Sequence, residues 1–294
     1  MGTASGMGTE HGAVHTIADV LTPGPTRLMG IVNVTADSFS EPIHRSVRAA
    51  IDWGIELVSQ GADLIDVGGE STRPGAERVD QDAELARVLP VVEALAGSGV
   101  PVSVDTVRSA VARAAIDAGA VIVNDVSGGL TDPGILQVVA DSDAGYVLQH
   151  WRRPFDHGFS HRDVVAEVCE ELATRRDAAV AAGIDPGRII LDPGIGFGKT
   201  PDQNWELIAH SDHVAALGHP VLWGVSRKRF LAQMYPEQTQ PWQRDAAGVA
   251  VTALLARQGV WGVRVHTASD HRAALGVAEA VRAHGTGDRV EVTR

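Results

Sequence analysis

Four side chains able to hold an anion stand in two short blocks late in the chain: Ser226 and Lys228, then Arg264 and His266. Arg264 and His266 flank Val265, so in an extended segment both leave the same face. Arg offers a planar fork of donors to phosphate oxygens, Lys a point charge and Ser a hydroxyl. A second set has the opposite character. Asp105, Asn124 and Asp192 each end a short apolar run, where a carboxylate is costly unless donors meet it. A flat heterocycle with adjacent ring N–H and amino groups would supply them. Asn124 can serve a mixed donor and acceptor edge, and Lys228 a ring carbonyl from the other side. Cap-and-turn chemistry stands beside this reading for Asp and Asn, and a solvated surface charge for each cation.

The elements that must position these residues repeat one unit: an apolar, often β-branched run, a polar or Gly-rich turn, then an amphipathic helical stretch. The runs are Leu28–Asn33, Leu64–Gly68, Pro101–Asp105, Val121–Asn124, Tyr146–His150, Ile189–Asp192, Val221–Val225 and Val263–His266. Eight runs at a mean step of about 33 residues match a (β/α)8 TIM barrel of about 250 residues. In a barrel, a polar residue where a strand meets its loop points at the active-site face, and anions commonly bind after the last two strands. Helical patterns such as Asp82 to Leu95 and Asp245 to Arg257 fill the intervals. The domain reading is an N-terminal extension over 1–26, ending in a short strand or hairpin, a barrel over 27–284, and a tail over 285–294. A doubly wound sheet uses the same units, but its nucleotide motifs fail. Gly194, Gly196 and Gly198 are not G-x-G-x-x-G, and a P-loop ending at Lys199-Thr200 would need Gly where Pro193 stands.

Composition bounds the function further. With 25 Lys plus Arg against 37 Asp plus Glu, the net charge of −12 argues against a phosphate-backbone footprint. At 44% hydrophobic and 21% charged, the 294 residues have ample material for a core. The single Cys169 excludes an internal disulfide and any Cys-based zinc cage, and its apolar neighbours mark it as a buried small residue. No stretch is long enough for a membrane span and no basic start suggests a signal peptide, so the expected compartment is the cytoplasm. His157 and His161 have helical metal-site spacing but fall in a loop-like stretch, which favours a solvated pair. The segments Asn33 to Ser40 and Gly68 to Gly75 read as lids that close over a cleft. Asn33, at the root of the first, offers an oxygen suited to Mg2+.

Met29-Gly30-Ile31-Val32-Asn33-Val34-Thr35 with Asp37-Ser38-Phe39-Ser40, and Asp66-Val67-Gly68-Gly69-Glu70-Ser71-Thr72-Arg73-Pro74-Gly75, resemble two signatures of the dihydropteroate synthase family. The likeness continues through Ser103 to Thr106, Asn124 to Gly129, Asp192 to Thr200, Ser226 to Phe230 and Arg264 to His266. It implies a (β/α)8 barrel, cytoplasmic and homodimeric. The reaction is condensation of 6-hydroxymethyl-7,8-dihydropterin pyrophosphate with p-aminobenzoate, giving 7,8-dihydropteroate and pyrophosphate in folate synthesis. By resemblance, Asp105, Asn124, Asp192 and Lys228 bind the pterin with Phe197 beside it. Asn33, Arg264 and His266 hold the pyrophosphate and Mg2+, and Thr72, Arg73, Pro74 and Ser226 border p-aminobenzoate. Lys228, Arg264 and His266 are then the catalytic set, and sulfonamides, which mimic p-aminobenzoate, are expected to compete.

Three departures stand out. Where the family usually continues Asp-Gly-Gly after Ser40, this chain has Glu41-Pro42-Ile43-His44, and Pro42 fixes φ where glycines allow wide excursions. Gln149 stands where Met is frequent, and Thr267-Ala268 where Asp-Val is common. Two rival readings follow: a pterin-binding paralogue with weak turnover, and a pterin-dependent methyltransferase. Against the second stand the Ser226-Arg227-Lys228 and Arg264-Val265-His266 blocks.

Overall fold

Short runs rich in Val, Ile and Leu, bounded by turn residues, satisfy their backbones best by pairing with one another under a coat of helices. The computed structural model describes residues 15–34, 46–70, 79–152, 161–237 and 239–285. Its strands are β1 (Arg27–Asn33), β2 (Leu64–Gly68), β3 (Val102–Asp105), β4 (Ile122–Asp125), β5 (Gly145–Gln149), β6 (Ile189–Asp192), β7 (Leu222–Trp223) and β8 (Gly262–Val265). All are parallel, in the order β6-β5-β4-β3-β2-β1-β8-β7. A bridge between Leu191 and Val221, with Leu191 N–H donating to Pro220 O at 2.9 Å, brings β6 to β7 and closes the ring. The fold is the expected (β/α)8 barrel, and closure excludes the open doubly wound sheet.

Ten helices are described: α1 (Ile17–Leu21), α2 (Val47–Ser59), α3 (Gln81–Gly97), α4 (Ser109–Asp117), α5 (Gly134–Ala140), α6 (Val164–Ala181), α7 (Pro201–Ala209), α8 (Ser211–Ala215), α9 (Asp245–Arg257) and α10 (Ser269–Gly285). Local chemistry starts several of them. Asp80 caps α3 and Asp163 caps α6, while Thr200 and Gln203 form a capping box on α7 with Pro201 at its first position. Among the described residues, no helix is long and apolar enough to cross a membrane. Cys169 on α6 is half-buried against the core, and burial raises its thiol pKa, the opposite of activation.

Strand alternation divides the core in two. Leu28, Val32, Ile65, Val67, Val104, Val123, Leu148, Leu191, Val263 and Val265 face the helices. Met29, Leu64, Ile122, Val147, Ile190 and Leu222 form a separate apolar layer inside the barrel at its N-terminal end. The bottom of that layer is closed by α1, a short helix rather than the expected strand or hairpin. Thr16 and Asp19 cap each other's backbone there, which fixes a helical turn. Ile17 and Val20, one turn apart, pack on the inner layer. The fit is tight: a Cβ on Gly145 would lie 2.4 Å from Ile17 Cδ1.

Ile17→Ala is expected to destabilise the barrel by about 2–3 kcal/mol through loss of buried methylenes. Pterin affinity, at the other end of the barrel, should stay unchanged. Denaturant titration beside ligand calorimetry checks both, and an unaltered midpoint would refute the plug.

Candidate active site

Two residues beyond the inner apolar layer, the interior positions of six strands change character. Leu64 gives way to Asp66, Ile122 to Asn124, Val147 to Gln149, Ile190 to Asp192, Leu222 to Gly224 and Gly262 to Arg264. The register sets Asp105 beside Asn124 and Gln149 beside Asp192, so these side chains form one polar floor near the C-terminal rim. All but Gly224 and Arg264 are buried.

Arg264 organises the floor. Its Nε donates to Asp66 Oδ2 at 2.6 Å and its Nη2 to Asp105 Oδ2 at 2.8 Å. Asn124 Nδ2 donates to the same Asp66 oxygen at 3.0 Å. Arg264, expected among the anion-holding side chains, thus has its guanidinium among the carboxylates of the floor. Two carboxylates inside a barrel need a cation between them, and Arg264 is the one the register brings there. Its Nη1 has no protein partner among the described residues. Asp66 was absent from the residues assigned a role by sequence. The available signal was a carboxylate in the middle of Leu64-Ile65-Asp66-Val67, where no helix cap is possible. Asp125, beside Asn124, faces outward instead and accepts bonds from Ser127, Gly129 N–H and Tyr146 Oη.

Other acceptors of the floor are left unpaired. Asp105 Oδ1 and Asn124 Oδ1 are buried without a partner among the described residues. Burial pushes the Asp105 carboxyl up to about 7, against the pull of Arg264. Burial likewise raises Asp192 to about 6, although Gly194 N–H donates to its Oδ1 at 2.7 Å. Asn124, Gln149, Asp192, Ile195, Phe197, Lys228 and Arg264 line a cleft. It adjoins a second that shares Val126 and Phe197 and reaches Thr106, Arg108 and Trp151.

The loops after β6 and β7 complete the mouth. Lys228 Nζ sits 4.2 Å above the centre of the Phe197 ring. Its stem passes where a Cβ on Gly196 would come within 3.0 Å of Lys228 Cδ, so glycine is needed there. Ser226 and Lys228 flank Arg227, the one described non-glycine residue with positive φ, at 59°. A two-point pair from Arg227 Nε and Nη2 to the Asp245 carboxylate, at 2.8 and 2.9 Å, holds that strained turn. Ser226 Oγ lies 3.0 Å from His266 Nδ1 and accepts the His266 N–H, joining the ends of β7 and β8. Asn33 is half-buried at the end of β1 beside Gly68.

Thr72, Arg73, Pro74, the segment Glu41 to His44 and His157 lie outside the described residues. His161 is not solvated: its Nδ1 meets Glu167 Oε2 at 2.9 Å. Glu70 lines the second cleft and pairs with Arg108 at 2.6 Å.

The raised carboxyl of Asp192 has a consequence for stability. Its folded value, about 6, lies above its ordinary 3.8, so the stability it contributes is present below pH 4 and lost as pH rises through 6. Asp192→Asn should therefore melt roughly 5 °C above the parent at pH 8 and level with it at pH 4. Melting curves across that range check this, and a difference independent of pH would refute the burial penalty.

The same residues carry a likeness to known proteins. A family model described as pterin binding enzyme matches residues 29–266. The dihydropteroate synthase of Mycobacterium leprae is 44% identical over 281 residues, 92% of this chain and 98% of that one. The Xanthomonas albilineans dihydropteroate synthase, solved in complex with 7,8-dihydropteroate, superposes with a TM-score of 0.79 at 44% identity, covering 90% of this chain and 95% of that one. The Yersinia pestis enzyme, solved as a sulfonamide drug complex, does so at 0.84 and 37%, covering 88% and 95%. With the family's motifs in order along a closed barrel, this chain belongs to the dihydropteroate synthases of the pterin-binding enzyme family.

Proposed function

We propose that the chain condenses 6-hydroxymethyl-7,8-dihydropterin pyrophosphate with p-aminobenzoate, releasing pyrophosphate and 7,8-dihydropteroate. The observation that carries this reading is the set of buried, unpartnered acceptors on Asp105 and Asn124 beside the Asp192 carboxylate. A pterin offers ring N–H and amino donors at matching chemistry. Asp105 and Asp192 accept them as carboxylates, Asn124 serves the mixed edge, and Lys228 donates to the ring carbonyl. Phe197 covers the ring.

The methylene–oxygen bond breaks first. Its electron pair leaves with the pyrophosphate, and positive charge at the methylene carbon spreads into the ring. The outer nitrogen of Arg264, with His266 and Ser226, faces the departing anion and stabilises it. The amine of p-aminobenzoate then attacks the carbon and loses a proton, so no covalent nucleophile is needed. Thr72 and Arg73 border this second substrate in the same reading, where sulfonamides compete as arylamine mimics. Asn33 fits Mg2+ as a single neutral oxygen donor, since this ion keeps few protein ligands beside phosphate oxygens. Bound there, the ion would neutralise charge on the leaving diphosphate.

A homodimer is part of the proposal. Val277 and Val281, one turn apart on α10, are 62% and 48% exposed, and Leu254 on α9 is 55% exposed. Such a patch favours a second copy of the chain. Val277→Asp should yield monomers in sedimentation at micromolar concentration, and a monomeric parent would refute the assembly.

The activity is tested by pyrophosphate release from the pterin substrate with Mg2+, with and without p-aminobenzoate. Release that depends on p-aminobenzoate and forms dihydropteroate is expected. Tight pterin binding without product would overturn the reaction.

A further inference from the structure

Lys199 ends the loop that begins at Asp192, and its side chain turns back beneath that loop. The residue is half-buried, yet protein encloses its ammonium. Nζ lies 2.9 Å from Gly194 O, 3.2 Å from Phe197 O and 3.0 Å from His150 Nδ1. An ammonium has three N–H donors, and here each has one acceptor. Accepting at Nδ1 places the His150 proton on Nε2, which faces Glu171 Oε2 on α6 at 3.1 Å. Arg152 Nε holds the other oxygen of Glu171 at 2.7 Å. The loop is thus tied through Lys199 to His150 at the end of β5, beside Glu171 of the barrel wall.

The tie has work to do because this loop is rich in backbone freedom. Gly194, Gly196 and Gly198 all have positive φ. The same turn presents Gly194 N–H to Asp192 and carries the Phe197 ring at the cleft. It is also pressed against β5, since a Cβ on Gly194 would lie 2.1 Å from His150 O. A loop with this much freedom and this little slack needs an anchor at its centre.

We propose that Lys199 is a positioning residue for the pterin seat: protonated, it clasps Gly194 and Phe197 and so fixes Asp192 and the ring cover; neutral, it loses a donor and its charge, and the clasp loosens. The inference rests on the floor being a pterin seat. Burial draws the Lys199 ammonium down to about 7, against the pull of Asp192 from β6 and Glu171 from α6. Lys228, after β7, and Arg152, after β5, push the same way as burial. His150 is held to about 3 by burial and so stays neutral, and Arg175 and His161 complete the surroundings. Glu171 is raised by burial but brought to about 2 by bonds from His150 and Arg152, so it stays ionised. Of these groups, Lys199 and Asp192 titrate near 7 and 6, while burial lowers His161 from its ordinary value.

The sign follows. Pterin affinity falls below pH 7 as first Asp105 and then Asp192 take a proton, and falls above pH 7 as Lys199 loses one. The test is calorimetry of 6-hydroxymethyl-7,8-dihydropterin from pH 5.5 to 9 with the parent chain and Lys199→Met. The ratio of the two affinities cancels the ligand's own titration. It should be about tenfold at pH 6.5, from loss of a charge-assisted anchor, and approach unity by pH 9. A ratio of one throughout, or one constant with pH, overturns the clasp. If Lys199→Met does not fold, the parent labelled with 13C-lysine decides: by linkage, the pterin must raise the midpoint of the lysine titrating near 7. An unmoved midpoint overturns the proposal. A parent that binds no pterin at any pH overturns the seat itself, whereas parent binding that Lys199→Met matches overturns the clasp alone.

Discussion

Burying carboxylates inside a barrel is the constraint on which the rest of this structure depends. Asp66 is wholly buried and Asp105 nearly so, and neither can ionise in an apolar interior without a cation in hydrogen-bond range. Arg264 meets both from across the barrel, bonding Asp66 through Nε and Asp105 through Nη2. The bridge fixes relative positions: β8 must lie where its Arg reaches β2 and β3, and Asn124 on β4 joins through the same Asp66 oxygen. Ring closure, strand register and the charge state of the floor are therefore one problem with one solution. The apolar layer and the α1 plug beneath keep water from entering the floor from below.

What Arg264 leaves unsatisfied is as informative as what it satisfies. Asp105 keeps one oxygen without a partner among the described residues, and Asp192 has only a backbone donor and distant cations to offset its burial. Both carboxyls are consequently raised into the range about 6 to 7. A folded protein that holds carboxylates this way gives up stability near neutral pH, and a ligand with well-placed N–H donors restores it. The floor is preorganised in position but incomplete in hydrogen bonding. That is how a site binds one kind of flat heterocycle tightly while staying open before the ligand arrives.

The sequence was read well where periodicity and strand ends carry the information. Each apolar run became a strand, and Asp105, Asn124, Asp192 and Arg264 sit in one layer because alternation along parallel strands is rigid. Reading failed where the third dimension reassigns a residue. Glu70 lines the second cleft, but its carboxylate is taken by Arg108, a pairing that nothing local in the sequence marks. Arg264 groups with Lys228 and His266 by its place at the last two strands, but its length also lets it reach two carboxylates across the barrel. Asp66 stands in the middle of a strand, where no turn or loop marks a residue for chemistry. The N-terminal segment was misjudged because Thr16 and Asp19 nucleate a turn too short to show a helical period.

The distribution of charge also orders the proposed reaction. A ring held by carboxylates is easier to make cationic, and a methylene carbon that shares that charge gives up its pyrophosphate more readily. The same carboxylates would repel the departing anion unless cations intervened, and Arg264 stands between them with one nitrogen unpaired among the described residues. The guanidinium thus screens floor from leaving group while serving both. A lysine could not do this, because a single ammonium has neither the span to bridge Asp66 and Asp105 nor a further planar donor for the anion. The bridge that makes the buried floor tolerable is therefore also the element that lets opposite charges be handled a few ångströms apart.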